Sequence, residues 1–343
     1  MKNHVVTAGI ALVMSASVLS AQANTCPGGG QSPTTVAGAQ SNAIHDACTQ
    51  AVDMFQFIAP QLGLALTGGN ATLGQGGTLG GPGHFAISVR ANGFRGDLPD
   101  VGNFTTPRIT PNPTPQELPS DKEAFGLPVI DAAFGVFKGF PLGVTNVGGI
   151  DLLLSASYVP SYDRNNVKIE PETNLKIGFG ARLGLLEESL VSPGLSVTYI
   201  RRDVPTTTIT GRSANLDFSL KDAKVKTSAW RVVASKNVVL FGLAAGYGQD
   251  HYEQSTEVSG TAKNIPTLVG TSNQAFGPVM LAQDLTRTNM FVDLSMNLVI
   301  FKLVGEVGRV SGSDPAIPSF NSFTSGKSGD SRTYASVGLR FGR

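Results

Sequence analysis

The sequence predicts an all-β protein: an antiparallel, membrane-spanning β-barrel of about ten strands, with twelve as the alternative, behind an N-terminal helical segment. Three observations predict it. From residue 84 to the end, apolar and polar residues alternate with period two. In 174–185 the odd positions Leu175, Ile177, Phe179, Ala181, Leu183 and Leu185 are apolar, and the even ones are Asn174, Lys176, Arg182 or glycine. Successive strand side chains point to opposite faces, so each segment has one greasy face and one polar or bare face. The chain also opens with an export leader, and no later apolar stretch is long enough to cross a membrane as a helix.

In the leader, Lys2 supplies the positive start, residues 5–19 the apolar run, and Ala21-Gln22-Ala23 a small-x-small cleavage site. Residues 1–23 therefore read as a signal peptide, with Asn24 the first mature residue. The chain holds 26 Lys and Arg against 25 Asp and Glu; once Lys2 leaves, each sign counts 25, which argues against a basic nucleic-acid surface.

Residues 24–83 read as a periplasmic or plug segment. Cys26 and Cys48 are expected to pair in an oxidising periplasm. A metal site made from them with His45 would lack the tight C-x-x-C spacing, and no cofactor is expected. Ile44, Cys48, Ala51, Val52, Phe55, Ile58 and Leu62 recur at three- and four-residue spacings, which places a helix near 41–66 that Pro60 should kink or end. The glycines of 68–83 read as a flexible crossing into the barrel. Leu79 stands where a G-x-G-x-x-G phosphate loop needs glycine, and no strand precedes it.

The barrel occupies 84–343. Strands are expected at 84–94, 129–140, 148–158, 174–185, from 194, ending near 235, at 238–254, 285–298, 301–311 and 332–341. The sixth is ambiguous, because Lys224 and Lys226 share the parity of Trp230 and Val232 and fit only above the bilayer. Connections near 95–128, 160–173, 263–284 and 312–331 are long; those near 141–147, 187–193, 236–237 and 299–300 are short. That is the asymmetry between external loops and periplasmic turns. Residues 211–213 read as the tip of a tall external hairpin, and counting that hairpin separately gives twelve strands. Pro99, Pro107, Pro111, Pro113, Pro115 and Pro119 make 95–128 a stiff, extended surface loop that could bind partners.

A soluble barrel would bury the apolar face instead. Against that, charges on this face are confined to strand ends, as Lys138, Arg201 and Arg309. Its aromatics gather near strand ends, as Phe140, Tyr158, Tyr199, Tyr247, Phe301 and Phe341, like interfacial girdles. The polar face is rich in glycine, which suits a crowded lumen better than a solvated surface.

The ending Ser336-Val337-Gly338-Leu339-Arg340-Phe341 resembles the C-terminal strand signal of bacterial outer-membrane barrels, although Gly342 and Arg343 follow the aromatic. Residues 134–199 resemble a group of bacterial outer-membrane barrels that implies fold alone. The order of leader, helix, glycine-rich segment and barrel is loosely similar to long-chain fatty-acid transporters of the FadL type, which implies an N-terminal hatch in the lumen; this chain is short for their fourteen strands. These resemblances imply a bacterial outer-membrane location after Sec-type export, with outer-membrane lipid and the barrel-assembly machinery as partners.

The inward positions would carry Arg90, Asp131, Asp151, Lys176, Arg182, Arg287, Asp293, Lys302, Glu306 and Arg340, with Arg202, Arg231, Asp250 and Arg332. In a narrow barrel such charges pair across the lumen, or line a selective polar path. Asp250-His251 is the one Asp-His pair near an outer rim, but adjacent strand residues point to opposite faces, so no enzyme is expected. Gly326-Lys327-Ser328 fails as a phosphate loop at Asn321. The functional expectation is a passive channel or transporter for small, including hydrophobic, molecules, its N-terminal helix plugging or capping the periplasmic end. A structural or surface-binding protein using its long loops is the alternative, and an outer-membrane hydrolase a remote third.

Overall fold

The structure, a computed structural model, describes residues 26–342 apart from 165, 268, 269, 299 and 314–317. The leader and its cleavage site lie outside the described residues. Ten strands form the wall: β1 (Phe85–Pro99), β2 (Ser120–Phe137), β3 (Ile150–Tyr158), β4 (Leu175–Leu186), β5 (Gly194–Asp203), β6 (Leu216–Val238), β7 (Phe241–Thr267), β8 (Gly270–Asn297), β9 (Lys302–Val310) and β10 (Arg332–Gly342). Each pairs antiparallel with its neighbours in the chain. Finally β10 pairs with β1, Ala86 opposite Gly342 through Phe94 opposite Tyr334, so the sheet closes and leaves no edge within the ring.

The apolar face points outward. Ile177 is 66 %, Phe179 63 % and Leu294 63 % exposed, positions that a soluble core would have buried. Tyr158, Tyr199, Trp230 and Tyr247 mark the external boundary of this belt; Trp230 meets Tyr247 edge-on at 6.3 Å and its indole N–H donates to Gln249. The fold is thus a transmembrane β-barrel of ten strands.

Above that boundary the wall differs from the expected loops. Residues 263–284 are mostly strand, because β7 and β8 run on as one tall hairpin to Thr267 and Gly270. At the usual rise and tilt, the twenty residues from Tyr247 to Thr267 would lift it roughly 50 Å. The hairpin around 211–213 does project: Thr207–Arg212 pairs with the upper half of β6, and Val167–Pro171 and Tyr162–Arg164 extend the sheet from there. These short strands stand outside the ring, so its count is ten and not twelve. A bulge at 221–224, with Asp222 at φ +49°, reverses the parity of β6. Below it, Lys224 and Lys226 point out, on the external side of Trp230.

The N-terminal helix, α1 (Val36–Thr67), is capped by Thr35, whose Oγ1 accepts the Gly38 N–H at 3.1 Å. It continues past Pro60 rather than ending there; packing on every side offsets the lost hydrogen bond. The helix lies inside the barrel and enters from the external mouth. Its first turns meet residues 108–111, Asp53 meets 320–321, and its last turn meets Tyr252 in mid-wall. It therefore fills the outer half of the lumen and does not cap the periplasmic end. Residues 68–83 continue downward to the turn at Lys138, and β1 starts back up from there. Val52, Phe55 and Phe57 pack against Leu216, Phe218, Val258 and Phe276. Fully burying such a side chain contributes about 1.5–3 kcal/mol, so this cluster anchors the helix.

Candidate functional site: the plugged lumen

Two lids close the external mouth over α1. Residues 100–119 do not stand out as an extended surface loop. They fold inward, burying Val101, Phe104 and Leu118, and Arg108 grips Asp46 on the helix. Residues 318–331 lie beside them: Ser322–Phe323 pairs in parallel with Glu117–Leu118, Phe323 stacks on Phe57 with centroids 4.0 Å apart, and Asp53 accepts N–H bonds from Phe320 and Asn321 at 2.8 and 2.9 Å. Burial raises the Asp53 carboxyl from 3.8 to about 7, against the lowering pull of those hydrogen bonds. The Cys26–Cys48 disulfide ties the start of the described chain to the helix here.

Below the helix, wall arginines collect its last carbonyl, that of its C-cap Gly68 and that of Asn70 just beyond. Arg202 donates to Thr67 O at 2.9 Å, Arg231 to Gly68 O at 3.4 Å and Arg90 to Asn70 O at 2.9 Å; Asn289 also donates to Gly68 O at 2.9 Å. A helix C-terminus carries partial negative charge and unpaired carbonyls, so three guanidinium groups form a fitting collar. Acids hold the arginines in turn. Asp131 takes Arg90 at 2.9 Å and Arg202 at 3.0 Å, and Asp250 takes Arg231 and Asn289.

One level down, two carboxylates on paired residues of β8 and β9, Asp293 and Glu306, face the glycine-rich segment. Glu306 accepts the backbone N–H of Gly69 at 3.2 Å and of Asn70 at 2.7 Å, and the Ser336 hydroxyl at 3.1 Å. Asp293 accepts the Asn70 amide at 2.7 Å and the Gly74 N–H at 2.9 Å. Lower still, Arg340 donates to Leu73 O, Lys302 to Asn237, and Asp151, bonded to Arg182 at 2.6 Å, accepts the Leu79 N–H. Gly76 lies so close to the wall that a Cβ would meet the Ala234–Ser235 backbone at 2.6 Å, and Gly74 turns at φ +70°, so side chains are excluded at both. Residues 68–83 are thus a strut pinned at every level rather than a loose crossing.

Of the charges expected inside, Arg90, Asp131, Asp151, Arg182, Asp293 and Glu306 are buried and bound to the plug or to one another. Lys302 and Arg340 sit half-buried near the periplasmic end, and Lys176 half-buried at the upper end of β4. Arg287 turns away from the plug to the lid, donating to Ser328 O and Asp330 O. Most pairs join neighbouring strands; Arg202 alone of these reaches over two intervening strands to Asp131. Asp250 points in and His251 out, where it meets Thr286. Sequence reasoning missed the polar stripe of α1, Asn42, Asp46, Asp53 and Gln61. Its helical spacing was legible, but it reads as a wet face until the lids are seen.

No family model matches the sequence, and no curated protein does. Among solved structures, the transport unit of the autotransporter AIDA-I from Escherichia coli is similar at 8 % identity and a TM-score of 0.32, covering 86 % of this chain and 98 % of its own. The Pseudomonas putida toluene transporter TodX is similar at 7 % identity and a TM-score of 0.31, covering 80 % and 95 %.

Proposed function

We propose that the chain is a bacterial outer-membrane barrel, closed at rest, that passes small molecules when its plug shifts inside the lumen. The observation that carries this reading is the two-part lumen. The outer half is apolar where α1 faces β6 and the 204–209 segment, and there Phe55, Ile58, Leu62, Val204, Leu220 and Val225 enclose a cavity of about 10 Å³, too small for a solute. The inner half is held by ion pairs and by backbone hydrogen bonds to the strut. The apolar half suits small hydrophobic cargo, and the hydrogen-bonded half acts as the latch.

Planar-bilayer recording tests it, with the whole mature chain and a form lacking residues 24–83. The whole chain should conduct rarely and the shortened one steadily. Silence from both would remove the channel reading. A surface-binding role is the second reading, motivated by the tall β7–β8 hairpin. Unchanged surface binding after deletion of its external part would count against it.

A further inference from the structure

The periplasmic turns present an unexpected surface. Four connections face that end, and each carries bare apolar tips: Leu142 and Val144 between β2 and β3, Leu190 between β4 and β5, Val239 between β6 and β7, and Ile300 between β8 and β9. Leu190 is 98 %, Val239 89 % and Ile300 74 % exposed. Turns that dip into water are normally polar, and such residues clustered at one end mark an interaction surface.

Many polar groups of the same turns fold inward and are satisfied by protein, while Lys138, at the lower end of β2, is exposed. Lys236 Nζ donates to Ser189 O at 2.6 Å and Leu190 O at 2.8 Å. Glu188 accepts from the Asn237 side chain at 2.9 Å and the Ser235 hydroxyl at 2.9 Å, and Thr145 donates to Glu187 O. Asn297 supplies its amide to Val239 O at 3.1 Å and its backbone N–H to Leu240 O at 2.6 Å. Water would satisfy these groups unaided, whereas a hydrocarbon surrounding requires the protein to do so.

The dimensions agree. A hydrophobic band about 25 Å tall needs about ten residues of a strand tilted near 40°. On β7 the outward apolar run is Phe241, Leu243, Ala245 and Tyr247, after which Gln249 and Glu253 follow on that side. On β8 the run reaches eleven residues, from Met290 to Ile300, when the turn is included. On these two strands the belt approaches that height only with its turn included, whereas Leu175–Leu185 on β4 reach it within the strand.

We propose that the four periplasmic turns are immersed in the acyl chains of the periplasmic leaflet, so that the barrel sits low in the membrane and carries its bulk outside. The occupant of this surface is phospholipid, because the tips continue the lipid-facing belt, with Lys138 the one exposed charge between belt and tip at the β2–β3 turn and long enough to reach the headgroups.

The test uses single-tryptophan proteins in phosphatidylcholine vesicles. Trp230 is the natural tryptophan; Trp230→Phe with Val239→Trp moves the probe to a turn, and Trp230→Phe with Leu190→Trp repeats it at a second. Heat-shifted mobility on a gel verifies that each variant folds. Phosphatidylcholine brominated on its acyl chains should remove most of the emission at 239 and 190, and aqueous acrylamide should remove little. Strong acrylamide quenching with no bromolipid effect would place the turns in water and overturn the proposal. Protection from both quenchers would mean a protein partner or a second copy, and would overturn it equally.

Discussion

Replacing Glu306 tests whether the plug is latched by hydrogen bonding to its backbone. In Glu306→Leu, the N–H groups of Gly69 and Asn70 lose the acceptor they hold at 3.2 and 2.7 Å, and Ser336 loses a third contact. An orphaned buried donor costs about 1–3 kcal/mol, so two cost roughly 2–6 kcal/mol, nearly all of it charged to the seated plug. Part is returned, because Glu306 faces Asp293 on the paired residue and the two carboxylates repel when both are ionised. Glu306→Gln separates the effects in part: Gly69 and Asn70 bind different oxygens of the carboxylate, so the single amide oxygen keeps one of the two N–H groups, and the repulsion is gone. The expected order of plug stability is therefore Glu, then Gln, which orphans one N–H and relieves the repulsion, with Leu lowest. Bilayer recording should show open events rising steeply in the Leu variant alone, and protease cleavage within 68–83 should follow the same order. If Gln opens the barrel as Leu does, charge and not backbone acceptance holds the plug; if Leu stays closed, the strut is no latch.

Three further outcomes are expected. Docking of the external lid onto α1 should weaken with rising pH: docked Asp53 has its carboxyl raised to about 7 from 3.8, so docking favours the protonated form, is strongest below about pH 4, falls through to about 7 and is level above. Hydrogen exchange of residues 318–331 against pH reads this, and Asp53→Asn should flatten the profile. Phe323→Ala removes the ring stacked on Phe57 and should cost the lid about 3 kcal/mol, seen as faster proteolysis near 320 with the barrel's gel mobility unchanged. Opening the 22-residue Cys26–Cys48 link with a reductant should release about 3 kcal/mol of restraint and expose residues 26–35 to protease while the barrel stays folded; no added cleavage would show that packing alone holds that segment.

The sequence by itself determined the wall. Alternation is a local property, since a period of two assigns Leu175, Phe179 and Leu294 to one face whatever the partner strand is, and the ten strands were legible for that reason. The charges among Arg90–Glu306 that point inward followed from the same parity. Tertiary structure decided what occupies the enclosed space. Nothing local to Gly69 and Asn70 announces Glu306 some 236 residues away, and nothing in α1 tells whether Asp46 and Asp53 face water or the lids that cover them. The parity reversal at 221–224 and the rise of β7 and β8 far above the membrane depend likewise on pairing between distant strands, because a bulge or an extended hairpin is favourable only against the partner it fits. Once the ring closes, each buried carbonyl and carboxylate must find a donor within it, and that requirement, absent from any single segment, sets the path of the plug.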